Sequence, residues 1–181
     1  MVYLFLTTGH ETVEALTVVD LLRRASIPIT TVSIEPILQV TSSLDMTITA
    51  DKLFDDCDFT DLEALILPGG PGHTNLFHHK GLASLITTTY ENQNLVAAIC
   101  AAPKVLASLG IHVRSTIYPS LIEELQDYVP TNVCMDGHVI TGNALGASID
   151  FALAIITYLR DKDTALTVAN GIVYTPTSIS L

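Results

Sequence analysis

The sequence has few basic residues. Eight lysines and arginines stand against 19 aspartates and glutamates among 181 residues, which gives a net charge of −11 at neutral pH. This charge repels a phosphate backbone, and Arg23 and Arg24 are the only adjacent basic pair. We therefore expect no nucleic-acid partner.

Long uninterrupted apolar runs are also missing. The most apolar stretch, 94–113, contains Pro103 and Lys104, whereas a membrane span needs about 20 mostly apolar residues. The apolar residues 2–6 have no basic residues before them, and acidic residues follow closely, so no signal peptide is expected. The sequence predicts a protein without a membrane partner, located in the cytoplasm.

Cysteines are few and have no paired spacing. The three are Cys57, Cys100 and Cys134. An odd count without a C-x-x-C motif excludes a disulfide framework and argues against a cysteine-rich metal site. We expect a reducing compartment and no metal.

What the chain has in abundance is apolar patterning. Hydrophobic residues make up 49% and charged residues 15%, which suits one compact domain over 1–181. Runs that are apolar at every position predict strands buried on both faces, and apolar spacing near 3.6 residues predicts helices. Strands are predicted at 2–6, 28–34, 64–67, 95–99, 132–135 and 138–141, a hairpin within 37–50, and helices at 12–25, 80–92, 101–109, 147–159 and 163–169.

Alternating strands and helices predict an α/β fold with a mainly parallel sheet and helices on both faces. Thr12 is the predicted N-cap of the first helix. For the tail after Gly171, the sequence does not distinguish between a strand and irregular chain.

Cys100 stands where a buried strand turns directly into a helix, between small residues at Ala98 and Ala102. This pattern is typical of a nucleophile elbow, in which a tight turn leaves no room for bulky neighbours. A helix N-terminus favours thiolate over thiol, so we predict a reactive Cys100. The alternative is a buried, inert cysteine, which is our interpretation of Cys57 and Cys134.

Two other loops end neighbouring strands of the predicted sheet. Gly69 and Gly70 let the backbone approach a ligand closely and offer N–H donors to an oxyanion. Glu14 lies on the first helix among apolar residues, which suggests that it points inward. Beside a sulfur, burial and like charge raise the pKa of its carboxyl, so Glu14 would be protonated and donate to the sulfur.

The motifs together resemble the ThiJ/PfpI superfamily, in its branch of YajL-like bacterial proteins and Parkinson-disease protein deglycases. They occur in the family's order along nearly the whole chain. The matching stretches are Gly9 with Glu14 and 19–25, 67–70, 97–103 and 150–156.

This resemblance implies a flavodoxin-like sandwich, a homodimer and a reactive cysteine at Cys100 with Glu14 as its acidic partner. It assigns the oxyanion-type backbone donors to Gly70 and Ala101. Branch members are described as oxidation-sensing, chaperone-like, or active on methylglyoxal and its protein adducts.

The chain departs from the family at two positions beside the elbow. Ala101 stands where the peptidase branch has a histidine, which argues against peptidase activity. Tyr118 stands where the deglycase branch has a histidine before a proline, so Tyr118 is a candidate substrate contact, as is Gly69. His10 is the best histidine candidate for the site, and His73 comes next.

Three functions stay open from the sequence. The first is a cofactor-independent thiol enzyme acting on small 2-oxoaldehydes or their protein adducts, without glutathione. The second is an oxidative-stress sensor or chaperone in which peroxide converts Cys100 to sulfinate. The third is an interaction module whose cysteine is incidental.

Overall fold

A computed structural model describes residues 1–176, where seven strands form a sheet between two layers of helices. The sheet contains β1 (Val2–Leu6), β2 (Ile29–Ser33), β5 (Lys52–Leu53), β6 (Ala64–Leu67), β7 (Leu95–Ile99), β8 (Val133–Asp136) and β9 (Val139–Gly142). Two further strands, β3 (Gln39–Thr41) and β4 (Thr47–Thr49), lie outside it. The helices are α1 (Thr12–Arg24), α2 (His73–His78), α3 (Lys80–Glu91), α4 (Pro103–Ser108), α5 (Ser148–Leu159) and α6 (Lys162–Gly171).

The strand order is β5-β2-β1-β6-β7-β9-β8, and all neighbours are parallel except the antiparallel pair β8 and β9. Strands β3 and β4 form a separate antiparallel ribbon. The predicted α/β fold, with a mainly parallel sheet, is confirmed. Because β1, β6 and β7 are adjacent and parallel, the loops that follow them meet at one edge of the sheet.

The core has two halves, one on each face of the sheet. Val2, Leu4 and Leu6 of β1 pack in the layer with α1, α5 and α6. Tyr3 and Phe5 of the same strand pack in the layer with α2, α3 and α4. Both faces of β1 are therefore buried, which explains why the strand is apolar at every position.

Several predicted element boundaries differ in the structure. Helix α2 was not predicted, because Leu76 is its only fully buried apolar residue. Helix α4 begins at Pro103 rather than at Ala101, since a turn separates it from β7. Thr12 is not the cap of α1; Glu11 is, and its side-chain oxygen accepts from the Glu14 N–H at 2.8 Å.

The chain after α6 turns back toward the core. The Tyr174 N–H donates to the Ala169 carbonyl at 2.9 Å, and Tyr174 packs against the layer that contains α5 and α6. Within 172–176 the chain has no strand. Residues 177–181, where the sequence left strand and irregular chain open, lie outside the described part.

Candidate active site

Cys100 occupies a sharp strand-to-helix turn. Its φ of 63° is a left-handed backbone conformation that residues other than glycine seldom adopt. The surrounding backbone holds this conformation, because the Cys100 N–H donates to the Gly142 carbonyl and the Cys100 carbonyl accepts from the Tyr118 N–H, each at 2.9 Å. The predicted nucleophile elbow is thus present at the end of β7.

Gly69 lies directly against the elbow. A Cβ on Gly69 would stand 2.6 Å from the Cys100 Cβ and 2.8 Å from the Ile99 carbonyl oxygen, both closer than real side chains approach. Gly70 follows with a φ of 95°, and a Cβ there would meet the Gly9 carbonyl oxygen at 2.5 Å. Only glycines allow this loop to reach both the elbow and the loop after β1.

Glu14 points inward from the first turn of α1 and is 1% exposed. Its Oε2 accepts from the Gly69 N–H at 2.9 Å, while Oε1 is buried without a conventional hydrogen-bond partner among residues 1–176. Burial raises the pKa of this carboxyl to about 7, against the opposing effects of the Cys100 thiol and the Gly69 N–H. The inward direction of Glu14 and its raised pKa agree with the prediction, but the sulfur lowers this pKa instead of raising it, because the thiol interacts with the carboxylate form of Glu14.

Cys100 does not have the low pKa that a helix N-terminus was expected to produce. Burial and the adjacent Glu14 carboxylate raise the pKa of the thiol to about 12, and the N–H groups of Gly70 and Ala101 offset this only in part. Helix α4 begins three residues after the sulfur, which weakens its effect. Glu14 and Cys100 therefore hold one proton between them over a wide range around and above neutral pH.

The pair opens onto a cavity of about 420 Å³. It is lined by Glu11, Glu14, Gly70, Pro71, His73, Cys100, Ala101, Tyr118, Ala144, Leu145 and Gly146. Six residues singled out from the sequence therefore come together, namely Cys100, Glu14, Gly70, Ala101, Tyr118 and His73. Gly69 lies behind the cavity wall, where it contacts Glu14 and the elbow.

His10, the preferred histidine candidate, does not line the cavity. It is fully buried, its Nδ1 pairs with the Thr7 carbonyl at 2.9 Å, and its carbonyl accepts from the Ser43 N–H. Burial lowers the pKa of His10. The structure thus does not bring His10 to the cavity, because the loop after β1 buries this side chain.

His73 is the histidine that the cavity contains. Its Nδ1 pairs with the Gly70 carbonyl at 3.0 Å, and its Nε2 is buried without a partner in the described residues. Sequence reasoning missed Glu11, Pro71 and the segment 144–146. Glu11 and Pro71 adjoin recognised motifs, whereas nothing in the sequence of 144–146 indicates that the chain just before α5 lies beside the elbow.

Cys57 and Cys134 lie away from the cavity. Each thiol donates to a carbonyl at 3.3 Å, Cys57 to Leu53 and Cys134 to Arg114. In residues 1–176, no three or more histidine, cysteine or acidic side chains are grouped as metal ligands. No helix in this part of the chain is long and apolar enough to span a membrane.

The fold and the site together define a class: flavodoxin-like α/β proteins with a cysteine on a nucleophile elbow beside a buried glutamate. The model of the DJ-1/PfpI family matches residues 1–158. The chain belongs to the DJ-1/PfpI family, which confirms the resemblance seen in the sequence motifs.

Individual relatives agree with this membership. The chain is 33% identical over 174 residues to Protein dj-1beta of Drosophila melanogaster, covering 92% of this chain and 93% of the relative. It is 30% identical over 169 residues to Protein DJ-1 homolog B of Arabidopsis thaliana, and this match covers 89% of this chain but only 39% of that protein.

Two further similarities concern a named activity and a solved structure. Glutathione-independent glyoxalase DJR-1.2 of Caenorhabditis elegans is 30% identical over 121 residues, which is 64% of this chain and 65% of that protein. The structure of Toxoplasma gondii DJ-1, oxidized, superposes with a TM-score of 0.93 at 27% identity, covering 96% of this chain and 98% of that one.

Proposed function

We propose that this DJ-1-like stress-response protein acts on small 2-oxoaldehydes such as methylglyoxal, or on their protein adducts, without glutathione or a cofactor. The observation that carries the proposal is the paired Cys100 thiol and Glu14 carboxyl at a cavity of about 420 Å³. A relative named as a glutathione-independent glyoxalase supports it.

The first step joins Cys100 to the aldehyde carbon. Glu14 in its carboxylate form takes the thiol proton as the C–S bond forms, which is general-base activation of a weak nucleophile. The pKa of about 7 leaves Glu14 partly ionised at neutral pH and able to accept this proton. The N–H groups of Gly70 and Ala101 stabilise the oxyanion, which then receives the proton and gives a hemithioacetal.

The second step moves hydrogen within the bound substrate. Glu14 removes the proton from the former aldehyde carbon to form an enediolate and returns it to the adjacent carbon, while the hydroxyl proton passes to the neighbouring oxygen, which gives a thioester with a hydroxyl on the adjacent carbon. One carbon is oxidised and its neighbour is reduced, so no external oxidant is required. Water then cleaves the resulting thioester, which releases lactate and returns the proton to the Cys100–Glu14 pair.

Lactate formation from methylglyoxal by the pure protein, without glutathione, tests this proposal. The wild type should turn over, Cys100→Ser should not, and Cys57→Ser should behave as wild type because Cys57 lies outside the cavity. Absence of lactate with the wild type, or equal turnover by Cys100→Ser, would refute the assignment. Tyr118→Phe measures whether that hydroxyl contributes to substrate binding.

A second candidate function is oxidation sensing. Cys100 is a partly exposed free thiol, and the similar Toxoplasma gondii structure is of an oxidized protein. Peroxide would oxidise the sulfur to sulfenic and then sulfinic acid, with one water released at each step, and a protonated Glu14 would donate to the product. Mass spectrometry of Cys100 after mild peroxide tests this; no gain of one or two oxygens would exclude it.

We also propose that the protein forms a homodimer. Val13 and Leu16 on α1 are 43% and 40% exposed, and Leu145 at the cavity is 45% exposed, which leaves apolar surface next to the site. Sedimentation velocity should give about twice the monomer mass. A monomer at micromolar concentration would contradict the proposal.

A further inference from the structure

We propose that Glu11 makes the cavity selective by charge, so that Cys100 reacts with uncharged carbonyl compounds and discriminates against those bearing a carboxylate. The substrate class rests on the proposed function, whereas the charge selectivity applies to any electrophile that reaches the sulfur.

The cavity contains negative groups with no lysine or arginine to balance them. Its lining includes two glutamates, Glu11 and Glu14, and one histidine, His73. Lys104 lies in the adjacent cavity instead, where its Nζ pairs with Glu124 at 2.7 Å. An anionic ligand entering the site therefore meets repulsion from fixed carboxylates and no cationic partner.

Glu11 cannot easily move its charge away from the cavity. Its backbone N–H donates to the Gly69 carbonyl at 3.0 Å, and its side-chain Oε2 accepts from the Glu14 N–H at 2.8 Å. The negative charge of Glu11 also acts on the neighbouring carboxyl, raising the pKa of Glu14.

Two alkylating reagents measure the selectivity without requiring turnover. Iodoacetamide and iodoacetate transfer their methylene carbon to the sulfur with loss of iodide, and the thiol proton goes to Glu14 or to solvent. They differ mainly in charge. Peptide mass spectrometry gives the second-order rate of each reagent at Cys100 and, in the same sample, at Cys57 as an internal reference.

Glu11→Gln is the decisive variant, because glutamine keeps a side-chain oxygen that can accept from the Glu14 N–H. We expect it to reduce the iodoacetamide-to-iodoacetate rate ratio at Cys100 by at least about threefold, from one unit charge several ångströms away. A change in thiol ionisation affects both reagents alike and cancels in the ratio. Glu91→Gln removes the same charge from an exposed site at the end of α3 and should leave the ratio unchanged.

A ratio unchanged in Glu11→Gln, or changed equally by Glu91→Gln, would overturn the proposal. If Glu11→Gln does not fold, Glu11→Ser, which keeps an N-cap acceptor without the charge, takes its place, and added salt should also shrink the wild-type ratio at Cys100. A salt-independent ratio would also overturn it. Failure of the glyoxalase assay leaves these alkylation ratios unaffected, so the two proposals are tested separately.

Discussion

Replacing Glu14 by glutamine should change how the stability of the protein depends on pH. Glu14 is 1% exposed, and its side chain accepts from the Gly69 N–H and interacts with the Cys100 thiol; a glutamine oxygen can also accept these hydrogen bonds. The substitution therefore removes the ionisable group while it leaves the packing and these contacts in place.

The magnitude follows from the pKa of Glu14, which burial raises from 4.5 to about 7. The folded state binds this proton more tightly than the unfolded state, so the stability that the proton provides is complete below pH 4.5 and is lost as pH rises to about 7. The difference between these two values corresponds to about 3 kcal/mol. Glu14→Gln avoids this loss, so its advantage over the wild type should grow by up to that amount between pH 4 and pH 8.

Urea denaturation at several pH values measures this quantity, with Glu91→Gln as a control that should follow the wild-type profile. Profiles of Glu14→Gln and wild type that stay parallel from pH 4 to pH 8 would refute the reasoning. Cys100→Ala offers a second check. The thiol lowers the pKa of Glu14, so its removal should raise that pKa further. The free energy of unfolding should then fall over a wider pH range and by a larger total amount.

Three further predictions concern the elbow and the loop before α1. Gly69→Ala should lower the free energy of unfolding by about 1–3 kcal/mol in urea denaturation, because its Cβ would stand 2.6 Å from the Cys100 Cβ. Cys100→Gly should be more stable than Cys100→Ala by about 1 kcal/mol in the same assay, because glycine tolerates the φ of 63°. His10 should make a destabilising contribution as pH falls below 6.5, because burial lowers its pKa and the unfolded chain takes up a proton that the folded chain does not bind; His10→Gln should therefore gain stability relative to the wild type as pH falls.

Each of these has a result that contradicts it. A fully stable Gly69→Ala would mean that the loop after β6 can withdraw from the elbow. Equal stabilities of Cys100→Gly and Cys100→Ala would mean that the elbow backbone is not strained. A His10→Gln profile parallel to the wild type between pH 5 and pH 7 would mean that His10 has the same pKa in the folded and unfolded states.

The sequence predicted the sheet well because its inner strands are buried on both faces. Residues 64–67 and 95–99 are apolar at every position, and this signal does not depend on distant contacts. The elbow was also predictable, since Cys100 directly follows such a strand.

Features that depend on tertiary contacts were not predictable. Glutamate is not among the usual N-cap residues, so the capping role of Glu11 gave no local signal. The position of the loop that carries His10 depends on distant chain, since the His10 carbonyl accepts from the N–H of Ser43, more than thirty residues away. The raised pKa of Cys100 depends on burial and on the neighbouring Glu14, which a rule about helix N-termini does not include.

The backbone of Gly69 binds both acidic residues of the site. Its N–H holds the Glu14 side chain, and its carbonyl holds the Glu11 backbone. Residues 11 and 14 consequently share one anchor, so a shift of the loop after β6 moves both of them together. Homologous sites with different ligand preferences should therefore arise by exchanging the side chain at position 11, which leaves the shared anchor and the Cys100–Glu14 pair in place.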